Sequence, residues 1–237
     1  MSDLTSLERC LSYIDCHLQS PHGPAHVSRQ VHAPAVTISR QTGAGGIPIA
    51  DKLAERLNAH RPRGTVTWTV FHKNLVEKVL EEHHLPARLA EFMPEDKVSG
   101  IADAVEELLE LHPSSWSLVR QTTETILGLA ELGHVILVGR GANVITARLS
   151  HVFHVRLVGS LDQRAVRVQE HYRLGRRAAL AFLRREDAGR ARYLRKYFKK
   201  DVDDPLLYHL TINTDNVSME EAAEMIGSAV LRRPEEE

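Results

Sequence analysis

The chain has 237 residues, enough to bury a hydrophobic core without disulfide support, as one large domain or two small ones. Hydrophobic residues make up 43% and charged residues 26%, the balance of a globular protein rather than a disordered or fibrous one. The 30 Lys+Arg against 31 Asp+Glu leave a formal net charge of -1, which excludes a uniformly basic nucleic-acid binder but not a local basic patch.

From the N-terminus, Leu4, Leu7, Leu11, Ile14 and Leu18 fall at helical spacing, and Thr5 with Glu8 can form a capping box. Acidic Asp3, Glu8 and Asp15 stand where a signal peptide would be apolar, so the expectation is a cytoplasmic protein without membrane contact. Cys10 and Cys16 make neither a disulfide framework nor a paired zinc-ligand pattern. Pro21, Gly23 and Pro24 break the helix, and residues 1–33 read as an appended helix plus linker. Its apolar stripe would dock on the main domain or on a second copy, making a homodimer through this helix one expected arrangement.

A buried strand follows at residues 35–39, rich in β-branched residues, then a glycine turn and a helix built on Ile49, Ala50, Leu53, Ala54 and Leu57. The pattern predicts a strand at 65–71, helices at 73–82, 97–111 and 116–132, and a strand at 134–138 followed by Gly139-Arg140-Gly141. A strand at 152–158, a helix at 161–172, a mostly helical basic stretch at 173–200, a strand at 210–213 and a helix at 219–231 complete the chain, with a charged tail at 233–237. Strands alternating with helices of this length predict an α/β fold with a mostly parallel sheet.

Strand, glycine turn and helix expose backbone N–H groups and a helix N-terminus to a phosphate. The loop is Ser39-Arg40-Gln41-Thr42-Gly43-Ala44-Gly45-Gly46, and it is degenerate. Against the P-loop pattern, Arg40 replaces the first glycine, Gly46 the lysine and Ile47 the Ser/Thr that would hold Mg²⁺. Taken alone, the loop is either a phosphate site or a tight turn that needs glycine for its backbone.

The run VTISRQTGAGGIPIADKLAERL resembles the opening of the cytidylate kinase-like family, whose loops of the form S-R-x-x-G-[SA]-G-G lack the lysine. Residues 68–89, 134–145 and 185–215 are similar to the same family in the same order, so the resemblance spans about residues 35–230. It implies a P-loop nucleoside-monophosphate-kinase-like domain at 34–232, with a three-layer α/β core, an acceptor-binding helical insertion at about 71–132 and a basic helical lid at about 173–200. It also implies ATP and Mg²⁺ as cofactors and nucleotides as partners.

Between residues 173 and 200 stand eleven Arg/Lys residues against Glu186 and Asp187, either a solvated basic face or the lid. Asp187, Arg190 and Tyr193 match the D-x-x-R-x-x-Y pattern of similar cytidylate kinases. Arg190, with Asp187 beside it, is the candidate for transition-state charge, and Arg184, Arg185 and Arg192 are candidate helpers. The resemblance assigns Arg140 to the acceptor phosphate, the alternative being a surface turn arginine, while Lys73, in a turn that departs from the family pattern, is either a second contact or a solvated lysine. Where bacterial cytidylate kinases carry an aspartate after that arginine, this chain has Gly141, which puts cytosine specificity in question.

Arg40 is expected to stand in, with lid arginines, for the missing lysine, or else to fold back onto an acid and fix the turn. No Walker B acid follows the 134–138 strand, so the Mg²⁺ ligands stay open: Ser39, Thr42, Asp203, Asp204, or phosphates and water alone. Trp68 and Trp116 read as core residues, His83 and His84 as exposed, and Asn213 and Thr214 as either turn formers or neighbours of the adenine. The expected function is a phosphotransferase moving the γ-phosphoryl group of ATP to a nucleoside monophosphate such as CMP. The alternative is a nucleotide-binding or regulatory protein that kept the fold and lost turnover. Nucleic-acid binding through the basic stretch is disfavoured, since few aromatics interleave with its arginines.

Overall fold

The computed structural model describes residues 9–10, 12–13, 33–61, 66–72, 117–139 and 141–233. The expected helices at 73–82 and 97–111, the linker, the Thr5–Glu8 capping box, Cys16, His83, His84 and Trp116 lie outside the described residues. So do Lys73 and Arg140.

Five strands form one parallel sheet in the order β2-β3-β1-β4-β5. They are β1 (Ala35–Arg40), β2 (Thr69–His72), β3 (Val135–Val138), β4 (Val152–Val158) and β5 (Leu210–Asn213). β1 sits between β3 and β4, with Ile38 level with Val138 on one side and Val155 on the other. β1 is covered on both faces and is largely apolar through Ile38, with Val36 and Ile38 turned to one layer, Ala35 to the other, and Thr37 buried through its bond to His154. Its C-terminal end opens beside those of β3 and β4, where ligands bind in parallel α/β sheets.

Two helices cover one face: α1 (Gly46–His60) and, at the end of the chain, α6 (Met219–Leu231). Ile49, Leu53 and Leu57 of α1 and Ala222 and Ile226 of α6 pack there on Val36, Ile38, Ile136 and Val155. α6 begins with a full capping box between Ser218 and Glu221. The opposite face is covered by α2 (Ser117–Leu132) and the short α3 (Ala142–Ile145). Between β4 and β5 the chain makes a hairpin of α4 (Leu161–Tyr172) and α5 (Arg176–Phe198), then a 3₁₀ turn at Pro205–Leu207.

The bounds of β4, α4, β5 and α6 agree with the sequence pattern, and the basic stretch is one helix after a break at Arg173, whose φ is 54°. β2 differs: it starts at Thr69 rather than residue 65. The reason is local, because the Asn58 side chain takes both backbone groups of Trp68, donating to its carbonyl at 3.1 Å and accepting from its N–H at 2.8 Å. Trp68 is buried in the core, as expected.

The N-terminal piece docks on this domain through Cys10 and Tyr13, neither part of the leucine stripe. Tyr13 donates its hydroxyl to the Gly133 carbonyl and meets the Phe71 ring edge-on at 5.7 Å. Burial pushes the Cys10 thiol up to about 12, so it stays protonated and inert. No helix among the described residues is long and apolar enough to cross a membrane.

Candidate functional site

The loop that leaves β1 keeps to the sheet for one more bond, Gln41 N–H to Leu157 carbonyl at 3.0 Å, and then turns. Gly43 and Gly45 both take positive φ, 77° and 78°, and Gly45 is the N-cap of α1 with no side-chain capping bond. Backbone N–H groups at the start of a 15-residue helix are therefore left for a ligand, and the helix dipole favours an anion there. Gly43 has a second constraint: a Cβ would stand 2.7 Å from the carbonyl oxygen of Arg164, so the loop can lie on α4 only without a side chain.

Three arginines and one carboxylate close over this loop. Asp187, in the middle of α5, accepts from the Thr42 N–H at 2.8 Å and the Thr42 hydroxyl at 2.7 Å through one oxygen. Its other oxygen accepts from Arg164 at 2.6 Å. Arg164 is buried and also donates to the carbonyls of Gly159 at 2.9 Å and Thr42 at 3.1 Å. Arg190, one turn beyond Asp187, donates to it at 3.1 Å and to the Thr42 hydroxyl. From α4, Arg167 reaches the Gly43 carbonyl at 3.3 Å and ties it to the turn after β5, through the Thr214 hydroxyl at 3.0 Å.

Burial alone would raise the Asp187 carboxyl, but the Thr42 and Arg164 bonds outweigh it and hold the group below its usual value. Burial draws the Arg190 guanidinium down from its usual value, against the pull of Asp187 and Glu186. An arginine so placed stays charged.

A second cluster lies under the loop on β4. Arg156 is buried in the strand, donating to the Ser39 hydroxyl at 2.9 Å and to Asp203 at 2.9 Å, with its guanidinium 5.8 Å from the Tyr208 ring centroid. Arg40 extends from the end of β1 past Gly46 to the Gly139 turn that follows β3.

The structure thus brings together Ser39, Arg40, Thr42, Gly43, Asp187 and Arg190, while Gln41 braces the loop by accepting from the Gly159 N–H at 3.1 Å. Arg184, Arg185 and Arg192 are exposed on α5, and Arg185 pairs with Glu186 and covers Phe182. Asn213 accepts from the Asp215 N–H, and Asp204 caps the 3₁₀ turn through the Leu206 N–H.

Sequence reasoning missed Arg156, Arg164 and Arg167. A signal existed for the first two. Arg156 interrupts an apolar strand, and Arg164 shares the buried face of α4 with Ala165 and Val168. The same signal marks α5, where Ala179, Leu183, Leu194 and Phe198 are buried and Asp187 and Arg190 continue their three- and four-residue spacing.

The candidate Mg²⁺ ligands do not fit a protein-held dication. Ser39 and Asp203 are engaged by Arg156, and Thr42 lies between Asp187 and Arg190, so a cation placed there would face guanidinium groups. No cluster of three or more His, Cys, Asp or Glu suited to a metal occurs among the described residues.

The chain matches the model of the cytidylate kinase-like family over residues 35–216. No curated protein matches it. Among solved structures, an uncharacterized protein from Eubacterium ventriosum is similar at 21% identity and a TM-score of 0.57, over 84% of this chain and 99% of that one. TT1252 from Thermus thermophilus is similar at 19% identity and a TM-score of 0.43, over 84% and 97%. A shikimate kinase from Acinetobacter baumannii, solved with shikimate, is similar at 13% identity and a TM-score of 0.39, over 84% and 93%. Together with the parallel five-stranded sheet, the family match bears out the α/β P-loop kinase fold expected from the sequence.

Proposed function

The chain belongs to the cytidylate kinase-like family, and from that membership we propose that it is an ATP-dependent phosphotransferase, moving the γ-phosphoryl group of ATP in line onto the phosphate of a nucleoside monophosphate. The observation that carries the reading is the convergence of Arg164, Arg167 and Arg190 on Thr42 and Gly43, at the N-terminus of a helix with no side-chain cap. Transfer of a phosphoryl group asks a protein mainly for position and positive charge around three anionic oxygens, and this arrangement supplies both.

In this reading the N–H groups of Gly43, Gly45 and Gly46 hold the donor phosphates, Ala44 being bonded to the Gln41 carbonyl within the turn, and Arg190 meets the charge that develops in transfer. Asp187 is a positioning residue that keeps Arg190 and the loop in register. Arg184 and Arg185, on the exposed side of α5, would join only through a movement of the α4–α5 hairpin. Arg140 and Lys73 follow β3 and β2 in the sequence and are assigned to the acceptor phosphate. No general base is required, because that phosphate is already anionic near neutral pH. ATP arrives with Mg²⁺ bound to its own phosphates, an ion that keeps much of its water shell.

CMP is the first acceptor to test, yet residue 141 will not be what reads its base. Gly141 has a φ of 73°, and a Cβ there would stand 3.2 Å from the Phe198 ring and 3.4 Å from Leu194. The second reading, a nucleotide binder without turnover, is favoured by three positions: Gly46 where a lysine would be, exposed Ile47 without a hydroxyl, and buried Val138 where an acid would end β3.

The deciding measurement is ADP release from ATP and Mg²⁺ with a panel of nucleoside monophosphates. Turnover that depends on one of them and falls at least about a hundredfold in Arg190→Ala supports the kinase. Thermal stabilisation by ATP with no acceptor-dependent turnover supports the binder.

A further inference from the structure

The side chain of Arg40 runs through a space that two glycines leave open. Over Gly46, a Cβ would stand 2.9 Å from Cγ of Arg40, 3.2 Å from Cδ and 3.5 Å from Cβ. Those three Arg40 atoms are the nearest neighbours such a Cβ would have. The backbone of Gly46 is ordinary right-handed helix, so its own conformation asks for no glycine. At the far end, a Cβ on Gly139 would overlap Nη1 of Arg40 and lie 3.0 Å from Cζ. Gly139 follows directly on Val138, which is level with Ile38 in the neighbouring strand β1. The side chain therefore crosses from the end of β1, over the first residue of α1, to the turn that follows β3.

Position 46 is where a P-loop carries its lysine. We propose that Arg40 and that lysine are alternative occupants of one space: Arg40 brings the cation in from the strand side, and Gly46 and Gly139 are the clearances that aim it. The ligand class is a chain of linked phosphates. The inference rests on the loop being the donor-phosphate site of the phosphotransferase reading. It goes further by making Gly46 a positioning residue rather than a defect. A lysine there would not repair the loop, because its Cβ and the stem of Arg40 cannot share the volume. An arginine in this place also differs from a lysine in kind, since its planar fork offers several donors to neighbouring phosphate oxygens.

The test is a mutant cycle read by binding of inorganic tripolyphosphate, by calorimetry and thermal shift, in the full chain. Arg40→Gly is expected to weaken binding at least about tenfold. Gly46→Ala, which keeps every charge and adds one methyl group, is expected to weaken it several-fold in the parent chain and not at all on the Arg40→Gly background. Arg40→Gly with Gly46→Lys is expected to return to within about threefold of the parent. Additive effects of Arg40→Gly and Gly46→Ala, or unchanged binding in Arg40→Gly, would overturn the proposal. Should Arg40→Gly lose its cooperative unfolding transition, Arg40→Met carries the same cycle with the stem retained, and there Gly46→Ala must still perturb the melting temperature. Tripolyphosphate binding is read without turnover, so a chain that shows the coupling but no kinase activity sinks the proposed function alone. Absence of any tripolyphosphate binding by the parent chain sinks both.

Discussion

Asp187 and Thr42 lie 145 residues apart in sequence and are joined twice, one carboxylate oxygen accepting from both the N–H and the hydroxyl of the threonine. This pair fixes α5 to the glycine loop. Removing the carboxyl in Asp187→Ala leaves Arg164 and Arg190 without their counter-charge, and a loss of about 2–4 kcal/mol is expected in urea unfolding at pH 7. The folded carboxyl sits below its usual value, so its contribution is complete above about pH 4–5 and fades as pH falls through the lower, folded value. Asp187→Ala should therefore lose less stability relative to the parent at pH 3 than at pH 7.

Arg164 and Arg185 make a controlled comparison. The Arg164 side chain is 8% exposed and holds two backbone carbonyls and Asp187, whereas Arg185 is 72% exposed and holds Glu186. Arg164→Ala should cost about 2–4 kcal/mol and weaken ATP binding. Arg185→Ala should leave the unfolding midpoint unchanged. Equal midpoints for the two variants would contradict the clamp described above.

Gly141→Asp restores the residue type of bacterial cytidylate kinases and should do so without benefit. The positive φ and the Phe198 ring both resist a side chain, so a destabilisation of about 1–3 kcal/mol is expected. The ratio of turnover with CMP to that with UMP should not rise. A gain in CMP preference in a folded variant would show that the Phe198 end of α5 gives way to the acceptor.

His154 gives the fold a pH dependence of its own. The ring is buried in β4, bonded to the Thr37 hydroxyl at 2.8 Å and stacked on His209 at 4.9 Å, with Arg233 over the neighbouring Phe153. Burial, then the nearby His209 and Arg233, draw its value down to about 4, while an unfolded histidine titrates near 6.5. Between those values the unfolded chain binds the proton and the folded one does not, so stability falls as the medium is acidified. Guanidinium unfolding should show a loss of about 2 kcal/mol from pH 7.5 to pH 5, most of it absent in His154→Asn.

The sheet was legible because its strands are apolar runs punctuated by glycine, and β4 and β5 end where their patterns end. The start of β2 was not, since the polar side chain of Asn58, ten residues earlier, takes the backbone groups of Trp68. At the site, the glycine loop, Asp187 and Arg190 stood out by motif. Arg164 and Arg156 did not, because an arginine on a helix or strand is read as solvated unless a partner is known. Their partners, Thr42 and Ser39, lie more than a hundred residues earlier. The register of β1 against β4 sets Ser39 level with Arg156, and the loop and α4 that continue those strands bring Thr42 to Arg164.

Four guanidinium groups stand around the loop against three carboxylates: Arg156 pairs with Asp203, Arg164 and Arg190 share Asp187, and Arg167, bonded to Thr214, feels the nearby Asp215. The imbalance has a kinetic meaning that the near-zero charge of the whole chain conceals. A polyanion approaching in solution meets an attractive field at the sheet's C-terminal edge before it touches any residue, and is turned toward the loop as it arrives. Encounter with nucleotide should accordingly quicken as salt is withdrawn and slow as it is added, while release, governed by the closed contacts, changes far less.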